Sequence, residues 1–286
     1  MKIKKKILVQ IADPAGNITA YVLSGAREDD YEGIAEYIME HGEHDVEQVA
    51  FVKGIDAIDM SGMEFCGNAA RAFALMSAKG MIDGKPKDED IVSIPVTVSG
   101  RENPAECEVK VKDDYTKAYL PLPKRVKTLK HCDFAPAEGS KVIVMDGIVH
   151  IVLPDVEYSE EVFTMVKDAL ISQFDPEALG VMFLDSKTLN MTPVVYVKNV
   201  DSTYVEGSCG SGSAATAYYL SEDMEDGEHS FELKQPRGTI LARSEIEDGE
   251  ITKLSIEGPV SISDPEMMEV EYEADEQGMA ELSSIW

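Results

Sequence analysis

Apolar and polar positions alternate along much of this chain in the two-residue rhythm of strands. The pattern predicts strands over 7–12, 18–23, 48–53, 93–98, 106–111 and 117–121, then over 141–145, 148–153 and 192–198. Four more are expected over 231–234, 239–242, 251–257 and 268–273. Helical spacing is clearest over 29–40, where Tyr31, Ile34, Ala35 and Ile38 share one side, and over 160–173. Strands outnumber helices and do not alternate with them regularly. That argues against a doubly wound sheet and for an α/β (α+β) chain. A Pro- and Lys-rich stretch from Pro121 to about Ser140 lies near the midpoint and is the candidate domain boundary.

The two halves resemble each other. Cys66-Gly67-Asn68-Ala69-Ala70 opens a run through Ala72, Phe73, Ala74, Leu75, Met76 and Ala78. Cys209-Gly210-Ser211-Gly212-Ser213 opens a second through Ala214, Ala215, Ala217, Tyr218, Tyr219 and Leu220. The cysteines stand 143 residues apart, half the chain length. Each motif precedes a helix that is apolar or small nearly all round, and such a helix is buried on most sides. The reading is two similar domains, each with a central helix.

A cysteine placed just before a helix lies beside the unpaired amides of the first turn, which favour a thiolate and bind carboxylates. Gly67 and Gly210 let a ligand approach the backbone, while Asn68 and Ser211 can cap or donate. Two such sulfurs across one cleft could act as a pair. One removes the α-proton of an amino acid, and the other protonates the opposite face. Donors aimed at the carboxylate would stabilise the carbanion. Cys107, alternating with Ala105 and Val109, reads as a small buried hydrophobe, and Cys132 falls in the midpoint stretch.

Charge narrows the partners. Acidic residues outnumber basic ones 54 to 26, for a net charge of −28, so nucleic acid and anionic membrane surfaces are poor partners. No stretch has the length of a signal peptide's apolar core or approaches the roughly 20 apolar residues of a membrane span, so a cytoplasmic location is expected. Gly210-Ser211-Gly212 lacks the lysine of a phosphate-binding loop. His41-Gly42-Glu43-His44-Asp45 reads as a solvated helix end, not a metal site.

At the two cysteine motifs the chain resembles the diaminopimelate epimerase family of pyridoxal-phosphate-independent amino-acid racemases. Gly16-Asn17 matches a pocket-forming pair of that family, and His150 matches its histidine before a second-half strand. The resemblance implies two pseudo-symmetric domains, each a β-barrel-like sheet around a central helix. We place them at residues 1–124 and 125–267, with 268–286 returning to the first. It further implies Cys66 and Cys209 as catalytic acid and base, no cofactor, no metal, and a homodimer by analogy.

Departures bear on the substrate. The family's asparagines and Trp-Glu-Arg-Gly segment, which hold a distal carboxylate and amine, give way here to Ile148-Val149, Gly180, Asp59 and 200–206 with no arginine. Closer likeness is to the branch of histidine racemases from staphylopine-type metallophore pathways. It is carried by Met60-Ser61-Gly62, Glu64-Phe65-Cys66-Gly67-Asn68-Ala69, Glu47-Gln48-Val49, Glu206, and Gln235-Pro236 with Gly238. The substrate-binding set implied is Asn17, Glu47, Gly67, Asn68, His150, Glu206, Gly210 and Ser211, and the expected reaction is L- to D-histidine. Diaminopimelate or another amino acid is the alternative substrate, and a non-catalytic amino-acid binding protein is the alternative class. Isomerases of related fold that use carboxylates lack the cysteine pair.

Overall fold

The computed structural model describes residues 2–42, 44–129, 138–198 and 201–273. Glu43 of the solvated helix end and Cys132 of the midpoint stretch lie outside them. The chain starts with β1 (Lys2–Asp13) and β2 (Thr19–Ser24). It crosses back through α1 (Tyr31–His41), so that β3 (Gln48–Val52) runs parallel to β2. Then follow β4 (Ala57–Met60), α2 (Gly67–Ala78), β5 (Ile91–Val98), β6 (Ala105–Lys110) and β7 (Tyr115–Leu120).

The second half repeats the device. After β8 (Arg125–Thr128), β9 (Lys141–Val144) and β10 (Val149–Pro154), α3 (Glu160–Phe174) crosses over and β11 (Ala178–Leu184) runs parallel to β10. Next come β12 (Met191–Val197), β13 (Ser202–Val205), α4 (Gly210–Ser221), β14 (Gly227–Lys234), β15 (Thr239–Glu247) and β16 (Glu250–Pro259). The last two strands, β17 (Ser261–Ile262) and β18 (Glu266–Glu273), return to the first half and pair antiparallel with β1.

Each half is layered in the same way. The outer helices are amphipathic: α1 buries Ile34, Ala35 and Ile38, and α3 buries Phe163, Val166 and Leu170. The central helices have no solvent face to speak of. Every residue of α2 except Ser77 is buried, as is α4 from Gly210 to Ala217. A helix this rich in alanine can be surrounded at close range, because its side chains leave room for the sheets to approach. Core residues of both central helices, with Cys66 and Cys209, belong to one continuous apolar cluster, and two satellite clusters lie under α1 and α3.

The sheets of the two halves are not separate. One runs β14-β15-β16-β7-β6-β5-β4-β3-β2-β1-β17, with β18 also on β1, and the other runs β13-β12-β11-β10-β9-β8. The halves join where β7 pairs antiparallel with β16, from Leu120 opposite Leu254 to Tyr115 opposite Pro259. Each strand would otherwise present an open edge, and their pairing removes both. Besides the two-residue β17, four strands escaped the pattern reading. Three of them, β4, β8 and β13, have only four residues each, too few to establish a period. The fourth, β11, is buried at all seven positions and so does not alternate. No helix among the described residues is long and apolar enough to cross a membrane.

Candidate active site

Cys66 and Cys209 hold equivalent positions. Each is the N-cap of its central helix, in extended conformation with φ and ψ of −123° and 111° at Cys66 and −119° and 115° at Cys209. Each sulfur accepts from an amide of the first turn, Ala69 N–H at 3.3 Å and Gly212 N–H at 3.3 Å. A serine oxygen usually performs that task at a helix start, and in this chain a thiol takes its place. Both cysteines line one cavity of about 1000 Å³. The helix ladder leaves the amides of Gly67, Gly210 and Ser211 over for a ligand, while that of Asn68 is directed at the Cys66 sulfur.

The loop after β1 forms one wall. Gly16 has φ of +90°, and a Cβ there would lie 2.5 Å from the Arg237 carbonyl carbon, so only glycine lets this loop nest against 235–238. The nesting delivers Asn17, whose Nδ2 donates to Glu47 Oε2 at 3.1 Å and whose Oδ1 faces Cys66 Sγ at 3.9 Å. Glu47 also accepts from Gly207 N–H at 3.1 Å and stands 3.5 Å from an Arg237 guanidinium nitrogen. Burial raises its carboxyl above the ordinary range, against the pull of Asn17, Gly207 and Arg237.

Glu206, half-buried beside Cys209, is pushed up to about 8, first by burial and further by Glu47 and Glu64 nearby. Burial also pushes Cys66 up to about 12 and Cys209 well above the usual thiol range, with Glu206 adding to both. Ser211 sits 3.7 Å from Cys209 Sγ and shares a 3.0 Å hydrogen bond with His150 Nε2. His150 is fully buried, and burial drives it down to about 3, so it is neutral at physiological pH.

Of the residues singled out from sequence, Asn17, Glu47, Cys66, Gly67, Glu206, Cys209, Gly210 and Ser211 share this cavity wall. Asn68 and His150 do not line it and stand behind it. Sequence reasoning assigned no role to Gln235. Its Oε1 accepts from Cys209 N–H at 2.8 Å and its Nε2 donates to Ser213 Oγ at 3.0 Å, fixing the entry to α4. Gln48, Glu64 and Arg237 also line the cavity, and only the Gln235-Pro236-x-Gly238 turn hinted that its loop belonged here. Among the described residues, no group of three or more His, Cys, Asp or Glu side chains is arranged to hold a metal ion.

Solved structures share this architecture. A probable proline racemase from Agrobacterium radiobacter K84 superposes with a TM-score of 0.62 at 9% identity, covering 91% of this chain and 92% of its own. A hydroxyproline epimerase from Agrobacterium vitis gives 0.62 at 10% identity, covering 97% and 96%. At such identities the likeness is one of fold. The relatives by sequence are closer. A histidine racemase of Fusobacterium nucleatum is 34% identical over 223 residues, 74% of this chain and 82% of that protein. One from Staphylococcus aureus is 26% identical over 242 residues, 81% and 86%.

A two-half, sheet-rich fold carrying paired helix-cap thiols on one cavity, with these relatives, makes the protein an isomerase of the amino-acid racemase class. Residues 8–265 match the family described as the histidine racemase CntK N-terminal domain, and the chain belongs to that family.

Proposed function

We propose that this protein racemises histidine through Cys66 and Cys209 acting as paired base and acid. One thiolate takes the α-proton, the other thiol protonates the opposite face, and the roles exchange for the reverse direction. The helix-start amides left free at both motifs receive the substrate carboxylate and the charge that develops on it. The observation that carries the reading is the equivalence of the two sites: the same cap geometry, the same sulfur-to-amide bond, and one cavity.

The side-chain end of the cavity supports histidine over diaminopimelate. Glu47, Glu64 and Glu206 line it, while its arginine, Arg237, stands against Glu47 and Asp45. Such a wall offers carboxyl groups to hydrogen-bond an ammonium or an imidazole, and its arginine is already engaged by carboxyl groups of the protein instead of being left for a distal carboxylate. Among the described residues three cysteines are free and buried, which suits the reducing cytoplasm, where we place the protein.

Proton NMR of a panel of L-amino acids with the enzyme in D2O tests the reading. Loss of the histidine α-proton signal together with appearance of D-histidine is expected. Exchange confined to diaminopimelate would overturn the substrate assignment, and inversion of no amino acid would overturn the reaction. Cys66→Ser and Cys209→Ser should each reduce inversion by at least about 1000-fold. Either variant turning over normally would sink the two-thiol mechanism.

A further inference from the structure

The thiol pair sits where ionisation is opposed. Both sulfurs are buried, and Glu47, Glu64 and Glu206 share their cavity. The racemase mechanism nevertheless requires a thiolate, so a compensating charge is needed beyond the helix-start amides. Arg71 carries a positive charge five residues along α2, the helix that Cys66 caps, whereas the cavity's Arg237 is engaged by Glu47 and Asp45. Arg71 is fully buried, the bulkiest side chain so enclosed. Its Nε donates to Asn68 Oδ1 at 3.0 Å, and its Nη1 donates to Thr116 Oγ1 at 3.2 Å and to the carbonyls of Gly258 and Pro259 at 3.0 and 3.5 Å.

Every one of those acceptors is neutral, and Nη2 has no hydrogen-bond partner among the described residues. A guanidinium enclosed with no carboxylate is costly to keep. Burial lowers it to about 10, which still leaves it charged at neutral pH. The titratable groups whose charge acts on it are Tyr21 from β2, Cys66 at the start of α2, Cys107 from β6 and Tyr115 from β7. Of these, only Cys66 is asked to ionise by the chemistry.

The hydrogen bonds give Arg71 a second reach. It leaves α2 to touch β7 and β16, the two strands that join the halves. Because it occupies Asn68 Oδ1, the Asn68 amide must turn Nδ2 the other way, where it donates to Ser208 Oγ at 3.4 Å, next to Cys209. A Cβ on Gly210 would lie 3.3 Å from the Asn68 nitrogen, so the two helix starts abut at this point. Arg71 does not line the cavity and so does not touch substrate.

We infer that Arg71 is a positioning residue for racemisation: the enclosed positive charge against which the Cys66 thiolate forms, and the pin that sets the two cysteine motifs against each other. This rests on the racemase reading. Around Cys66 itself, Glu64 and Glu206 oppose the thiolate and the amides of Ala69 and Asn68 favour it.

The test uses the full chain as wild type, Arg71→Gln and Arg71→Lys, with two readouts. The first is the pH profile of kcat/KM for histidine α-proton exchange. The second is alkylation by iodoacetamide across pH, mapped to each cysteine by mass spectrometry. In wild type, Cys66 should be alkylated at lower pH than Cys209, because the Arg71 charge favours the first thiolate while Glu206, hydrogen-bonded to Cys209, opposes the second more strongly. Arg71→Gln should move the onset of Cys66 alkylation and the acidic limb of the profile up by about one unit or more, with about 100-fold lower kcat/KM at neutral pH. Arg71→Lys, which keeps the charge, should restore most of the shift.

An Arg71→Gln enzyme that is slow but keeps the wild-type acidic limb would overturn the proposal, since a purely structural role predicts that result. If that variant does not fold, the wild-type order decides, and Cys209 reacting before Cys66 overturns it. Absence of α-proton exchange alongside the expected alkylation order would count against the racemase reading and leave the Arg71–Cys66 assignment standing.

Discussion

At the scale of single residues, the site is a set of groups held in the protonation state that burial prefers. Glu206 shows how this reaches stability. Its folded-state pKa of about 8 lies above its unfolded value, so its contribution is complete below about 4.5 and is lost as pH rises through 8. Glu206→Gln should therefore gain stability relative to wild type between pH 5 and pH 8, measured by denaturant unfolding at both pH values. An equal difference at the two would contradict the assignment. His150 has the opposite sign. Depressed to about 3, it stabilises the fold above about 6.5, and that contribution is lost as pH falls toward 3. The two cysteines were legible because glycine and a small-residue helix follow each in the same order. Gln235 and Arg71 were not: a lone glutamine on a turn or an arginine in an alanine-rich helix carries no local sign of what it will touch.

At the scale of elements, the α4 start is as tight as the chemistry demands. A Cβ on Gly212 would lie 2.2 Å from Met182 Sδ and 3.1 Å from Cys209 Sγ. Gly212→Ala must push one sulfur or the other aside, and misplacing a reacting group by about 1 Å costs roughly 100-fold in rate. We expect that loss in kcat, with the variant folded by circular dichroism. Wild-type turnover would show that the methionine yields instead. Core truncation is the complementary probe: Phe73→Ala in α2 should cost about 3–5 kcal/mol in denaturant unfolding. Element reading from sequence succeeded where period and length agreed, as in α1, α3 and the long strands. It failed at β11, whose burial on both faces erases alternation, and at four-residue strands, which are too short to show a period and are defined only by pairing with the adjacent strand.

At the scale of the whole molecule, the repeated β–α–β crossovers and the matched cysteines suggest two bodies, yet the core and the larger sheet run through both halves. A calorimetric scan should accordingly show one cooperative transition whose calorimetric and van't Hoff enthalpies agree. Two resolved transitions would mean the β7–β16 junction opens first. Continuity across that junction could not be read from the sequence, because an edge strand of one half and an edge strand of the other carry the same alternation whether or not they meet.

The return of β18 to β1 bears on how the molecule is made. Lys2 pairs with Glu273 and Val9 with Glu266, so β1 finds one of its neighbours in a strand synthesised long after it. While translation proceeds, β1 has β2 on one side and nothing on the other, and the cluster under α1 lacks Val270. Contacts this distant in the chain form slowly, and an uncovered strand is open to pairing with another chain. The nascent N-terminal half thus stays incomplete until β18 has left the ribosome, and over that interval the edge of β1 is uncovered.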